Sequence, residues 1–299
     1  MNPLSRRTRT SYFVLFIGLF FVLIPISILY ATGYRFHFLG GFSLVETGGI
    51  YVSVPQSGAE VSINGNSEGI SGLFSRNFYV DNLAPGSYAV HVALPGFYPW
   101  YKTLVVDPQI VTDARAFLVP QQIEILKLIR GTVGTTTAAS TTLVVSRAQY
   151  DTYLTLFSAT SSPAAILLPQ TKSTTTPLAK ILIPEDEQGG LEIYIEKGDI
   201  RLHWAQSTTS IPSSLCMTPS TCLHDYLLEK GKETAIRARF WEGGVLYSTK
   251  EQGIYLAEAD VRPTPLVIPI YPRAGAEFRI VDGVVIIKDG TSLYQVVGF

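Results

Sequence analysis

Two hydrophobic patterns divide the chain. From Ser11 to Ala31 it reads "SYFVLFIGLFFVLIPISILYA", with no charged residue, and from Gly49 onward apolar and polar positions alternate with a period of two. The first pattern predicts a transmembrane helix over 11–31, since about 20 apolar residues cross a hydrocarbon core about 30 Å thick. Tyr12 and Tyr30 lie near its ends, where amphipathic rings prefer the headgroup zone. Arg6, Arg7 and Arg9 precede it without an acid, and an isolated Arg35 follows. That asymmetry predicts a cytoplasmic tail over 1–10 and the bulk of the chain outside. A cleaved signal peptide is the rival, but its apolar core is shorter and ends in small residues. Leu29-Tyr30-Ala31 puts a bulky residue where a small one is wanted, so an uncleaved anchor is preferred.

The second pattern predicts strands. After a Gly- and aromatic-bearing spacer over 32–47, Ile50, Val52 and Val54 share one face and "PQSG" turns the chain. Ala59, Val61 and Ile63 then share a face, and Asn64-Gly65 turns it again. Pro85-Gly86 repeats the device ahead of Tyr88, Val90, Val92 and Leu94. Short strands between turn signals spaced about 8–12 residues apart predict a small β-sandwich over 48–120. From Gln121 four β units follow: "TLVVSRAQYDTYLTLFSA", "LEIYIEKGDIRLHWAQ", "ARFWEGGVLYSTKEQGIYLAEAD" and "FRIVDGVVIIKDGTSLYQVVGF". Their comparable anchors, Leu154, Ile200, Ile254 and Leu293, stand at intervals of 46, 54 and 39 residues. Such a period predicts a propeller-like β-repeat module over 121–299, with an irregular sandwich or open array as the alternative, because four blades are few for closure. Within 32–299 only part of "CLHDYLLEKGKETAIRARF" offers a helical reading. The fold class is therefore all-β with one N-terminal transmembrane helix.

Composition agrees and narrows the function. Sixteen Tyr and 15 Phe against only 16% charged residues suit β-rich packing. A formal net charge of -1 without a long basic run argues against nucleic acid as a partner. The two cysteines, Cys216 and Cys222, can close a short loop as a disulfide outside the cytoplasm. Cys222, His224 and Asp225 of "CLHDY" could instead supply a thiolate, an imidazole and a carboxylate. Residues at i and i+2 of a strand point the same way without forming a triad, so a disulfide beside a surface His-Asp pair is preferred. His37, His91 and His203 read as structural, and His91 points away from the face of Val90 and Val92. Glu185, Asp186 and Glu187 of "PEDEQGG" lack the alternation of a calcium loop and read as a solvated turn. The Ser/Thr-rich stretches "TVGTTTAASTT", "TKSTTTP" and "QSTTSIPSS" read as exposed loops. With no nucleophile elbow, zinc-protease pair or phosphate loop, no enzyme, metal or cofactor is expected. One cluster suggests ligand binding. "PGFYPWYK" gathers Phe97, Tyr98, Trp100 and Tyr101, whose rings stack on sugars or partner surfaces, unless Phe97 and Trp100 fill the sandwich core.

"GGIYVSVPQSGAEVSINGNSEG" followed by "LAPGSYAVHVALPGFYPWYKTLVV" resembles a PEGA domain over 48–120. The shared scheme is a glycine-led strand, "A-x-V-x-I-N-G", a "P-G-x-Y-x-V" strand and a "G-F/Y" turn near a Trp. The chain departs from it with "SGAE" at the first turn and "ISGLF" after the hairpin. The resemblance implies a small extracytoplasmic β-sandwich of a surface or envelope protein, without catalytic residues. The expected protein is a single-pass, membrane-anchored binding or scaffolding protein of the cell envelope. Its partners would be the bilayer through residues 11–31 and an envelope polysaccharide or surface protein. The alternative is an envelope enzyme acting on wall polymers or peptides, with its site in the C-terminal β module.

Overall fold

The computed structural model describes residues 6–37, 43–131, 141–158, 184–207, 211–229 and 235–299. The Ser/Thr-rich positions 132–140, 171–177 and 208–210, part of the tail and part of the spacer lie outside them. The apolar run folds as α1, Arg6–Ala31, a 26-residue helix about 39 Å long. It begins within the basic residues, five positions before the expected span. None of its residues is buried, and Phe13 and Phe21 are 65% and 71% exposed. Its apolar side chains thus surround the axis without covering anything in the protein, which suits a lipid environment. Its mean hydropathy, 2.7 over the most apolar stretch, makes it long and apolar enough to cross a membrane; an anchor and a signal sequence share this form.

Gly33 ends the helix at φ 89°, where a residue without Cβ is favoured. The spacer forms a hairpin of β1 (Tyr34–His37) and β2 (Ser43–Glu46). Thr47 N donates to Gly33 O at 2.9 Å, and Gln109 N to Thr47 O at 2.9 Å. Arg35 lies 3.7 Å over the Tyr30 ring and donates to Asn82. The end of the helix is therefore fastened to the following domain.

That domain packs two sheets around a shared core. Its strands are β3 (Gly48–Ser53), β4 (Glu60–Ile63), β5 (Asn66–Ile70), β6 (Asn77–Leu83), β7 (Gly86–Ala93), β8 (Trp100–Val106) and β9 (Val111–Arg115). One sheet has the order β6-β3-β9 and the other β5-β4-β7-β8. Ile50, Val52, Val54, Ala59, Val61, Ile63, Val90 and Val92 are all buried between them, as alternation predicts. Asn64 and Gly65 turn the first hairpin at φ 50° and 81°, and the Asn64 side chain accepts from Ala89 N at 2.8 Å.

The stretch Ala116–Val119 leaving the sandwich is buried, not a solvated linker. It runs into β10 (Glu124–Arg130), β11 (Thr142–Val145) and α2 (Arg147–Ser158). The strands β12 (Asp186–Gln188), β13 (Leu191–Glu196) and β14 (Asp199–Trp204) come next, then β15 (Cys216–Thr218), β16 (Thr221–Cys222) and β17 (Asp225–Glu229). The last seven are β18 (Ala235–Trp241), β19 (Gly244–Thr249), β20 (Gly253–Glu258), β21 (Val267–Tyr271), β22 (Glu277–Val281), β23 (Val284–Asp289) and β24 (Ser292–Val297). Three main sheets result: β12-β13-β14-β17, β18-β19-β20-β21 and β11-β10-β24-β23-β22.

Two expectations change here. The four repeats do not become four blades, and the described residues form no closed propeller. The first unit supplies only β11 and then the helix α2, because β10 pairs antiparallel with β24 and draws the first unit into the last sheet. Two of the supposed anchors, Leu154 and Leu293, consequently meet in one cluster with Leu128, Val145 and Ile286. The helix also lies elsewhere than expected. The Ser146 hydroxyl accepts from Gln149 N at 3.2 Å, as a helix N-cap does, and Tyr150, Tyr153, Leu154 and Phe157 form one apolar stripe. The segment "CLHDYLLEKGKETAIRARF" instead contributes the strands β17 and β18.

Candidate functional site

The sandwich and the sheet β18–β21 meet around charges placed where alternation calls for apolar side chains. On β8, Trp100, Lys102, Leu104 and Val106 all point inward. The Trp100 indole donates to Glu258 Oε1 at 2.7 Å, and Lys102 Nζ lies 2.9 Å from Glu258 Oε2. The Lys102 and Glu258 side chains are 0% and 5% exposed. Leu266 N also donates to Glu258 at 3.1 Å. Burial pushes the Glu258 carboxyl above its ordinary value, while Lys102 and Trp100 pull it back. Beside it Arg262 donates to Asp260 through Nε at 2.8 Å and to Asp113 O at 2.9 Å. Two cations and two carboxylates thus balance, with their hydrogen-bonding groups engaged, which is the condition for burying charge. The sequence signal for Lys102 was its phase with Trp100 and Leu104. Its partner stands too far along the chain for any motif to show.

Against this junction lies an open cleft of about 870 Å³. Its floor is the buried stretch Ala116–Val119; one wall carries Ser53, Gln56 and Phe97, the other Gln188, Phe240, Glu242 and Phe299. Asp113 and Arg115, exposed on β9, add a carboxylate and a guanidinium. Amides, both charge signs and four phenyl rings, Phe117 of the floor included, offer hydrogen bonds and stacking surfaces to an extended polar ligand. Among the described residues no group of three His, Cys, Asp or Glu could hold a metal ion.

The four expected aromatics separate. Phe97 lines the cleft, held by the turn in which Tyr98 N donates to Val119 O at 2.8 Å and Gln121 N to Gly96 O at 2.8 Å. Tyr98 is half-buried against the core. Trp100 is 1% exposed and belongs to the core and the charge junction. Tyr101 alternates to the outer face, where its ring stacks flat on His91 at 4.2 Å and 14°. Phe97 and Tyr101 therefore belong to different surfaces.

Cys216 and Cys222 face each other across β15–β16 and are disulfide-bonded. The loop they close and the turn before it grip the sandwich: Ser220 of the loop donates from N and Oγ to Asp107 Oδ2 at 3.2 and 2.6 Å, and Ser213 Oγ of the turn donates to Asp113 at 3.2 Å. The bond occupies the sulfur that a Cys222 thiolate would need, and Asp225 pairs with His203 Nδ1 at 2.8 Å, not with His224. The acidic stretch is likewise more than a solvated turn. Glu185 lies 3.4 Å from Arg239 and Asp186 accepts from Phe240 N at 2.8 Å, so both hold β12 beside β18.

The PEGA domain family matches residues 47–122, the span that folds as the sandwich and the buried stretch after it. Comparison with curated proteins gives no match for the chain. The chain thus carries a PEGA domain at residues 47–122, behind an apolar N-terminal helix long enough to anchor it in a membrane.

Proposed function

We propose that this is a single-pass membrane protein of the cell envelope, with its N-terminus in the cytoplasm, that acts by binding or scaffolding and not by catalysis. The observation that carries the reading is the open cleft between the PEGA domain and the C-terminal sheets, joined on one side by buried charges and on the other by the disulfide-closed loop. Held in that way, a site loses little order when a ligand enters, which favours binding by a preformed surface. An envelope polysaccharide suits its mixture of amides, paired charges and phenyl rings, and the exposed Tyr101–His91 stack offers a second platform.

Protease added to intact spheroplasts should digest the chain beyond the helix, and alkaline carbonate should leave the full-length protein in the membrane. A protected bulk, or a mature N-terminus near residue 32, would overturn the topology. Full-length protein in detergent should retain envelope glycans, and Phe97→Ala with Arg115→Ala should weaken that by roughly tenfold, about 1.4 kcal/mol. Unchanged retention by the double variant would remove the cleft from the reading.

A further inference from the structure

A second pocket, of about 510 Å³, lies where α2 meets the strands β18 and β22. Thr155 and Leu156 form one side, and Arg237, Arg239 and Arg279 converge from the other. Arg237 and Arg239 share a face of β18, two residues apart, while Arg279 comes from β22.

Arg279 is held in place before any ligand arrives. Its Nε donates to Leu156 O at 3.0 Å, in the last turn of α2, and its NH1 to Phe278 O at 2.8 Å. Its guanidinium lies 4.9 Å from the Phe157 ring. Arg239 is steadied by Glu185 at 3.4 Å and by Ala238 O at 3.1 Å. Arg237 has no hydrogen-bond or ion-pair partner among the described residues, so its five N–H donors are unspent.

The positive charge is not balanced locally. Against three guanidinia stand Glu185 and Glu277, the latter 3.9 Å from Arg279 and directly across the strand pair from another cation, Lys288. The adjoining stretches of sequence add more positive than negative charge, with Glu233 their one carboxylate. Residues 159–183 contain Lys172 and Lys180 and no acid, and 230–234 read Lys-Gly-Lys-Glu-Thr. Burial, followed by repulsion from the neighbouring guanidinium, lowers both Arg237 and Arg279 from their ordinary value. Gathering like charges in this way is costly unless a counter-ion completes the set.

We propose that the Arg237–Arg239–Arg279 pocket is an anion site that takes a phosphate monoester group. A planar guanidinium fork matches phosphate and carboxylate oxygens alike, but three forks around one pocket suit a tetrahedral dianion better than a single carboxylate. The pocket's volume admits the phosphoryl group with a small organic portion attached. The site is independent of the cleft and of what the cleft binds.

The test uses full-length protein in neutral detergent, its melting temperature followed at constant ionic strength. The probes are inorganic phosphate, glycerol 3-phosphate, malonate, and micelles containing phosphatidylglycerol. Phosphate and glycerol 3-phosphate should raise the melting temperature saturably, more so as the pH rises and each becomes a dianion, the monoester from about 6. Arg237→Gln should weaken that response at least tenfold. The same variant, without ligand, should melt no lower than the wild type, because one repelling charge has gone. No response beyond that to chloride would overturn the site. An equal or stronger response to malonate or phosphatidylglycerol would overturn the phosphate monoester assignment. A destabilised Arg237→Gln protein with an unchanged phosphate response would make Arg237 a structural residue and would also overturn the proposal.

Discussion

Lys102 occupies an inward position on β8, between Trp100 and Leu104, and its ammonium reaches Glu258 on a strand of the C-terminal sheets. Removing either partner strands the other charge in a dry junction, so Lys102→Met or Glu258→Gln should each cost about 3–5 kcal/mol in urea unfolding. The double variant should cost clearly less than the sum, because neither charge is then left alone. A pH series gives an independent reading. Burial raises the Glu258 carboxyl above its ordinary 4.5, so the folded chain takes up that proton earlier than the unfolded chain. Its contribution to stability is complete below 4.5 and is lost as the pH rises through the raised value. The stability margin of the wild type over Glu258→Gln should therefore narrow with rising pH across that window. His91 shows the opposite case, in which local alternation suffices: between Val90 and Val92 it was due to point outward, and it stacks on Tyr101.

Individual elements test how closely parts of the molecule fit. Gly244 opens β19 because a Cβ there would meet Ala257 O at 2.6 Å and the Phe117 ring at 2.8 Å. Gly244→Ala should cost about 1–3 kcal/mol by thermal unfolding, and adding Phe117→Leu should recover part of it. The disulfide-closed hairpin is small but fastens two parts of the chain. Replacing Cys216 and Cys222 together by Ser should cost about 2 kcal/mol, as closure of a short loop implies. Asp107→Ala should add little to that double variant, since both changes release the same clamp. The helix α2 explains why the first repeat was misread. The β-branched and aromatic residues of "DTYLTLF" suit a strand, yet Tyr150, Tyr153, Leu154 and Phe157 obey the helical period. The Ser146 cap and the apolar cluster beneath decide between the two.

Across the whole molecule one apolar cluster runs from Ile50 in the sandwich through Phe117 and Val119 to Leu246, Ile254 and Phe278 in the C-terminal sheets. Calorimetry of the full-length protein should accordingly show one transition for the PEGA domain and the two sheets it packs against, and two resolved peaks would contradict the shared core. Limited proteolysis should spare 116–119 for the same reason. Much of this architecture was legible beforehand. The apolar run determined α1, alternation and turn residues determined the sandwich and its buried faces, and a short spacing brought the cysteines within reach of each other. These features depend on neighbours in sequence, where residue type acts directly on backbone and burial. The tertiary structure alone decided that β10 joins β24, that Glu258 completes Lys102, and that arginines from β18 and β22 share a pocket. Periodicity states which face of a strand is apolar, but the surface that covers it comes from packing among segments far apart in the chain.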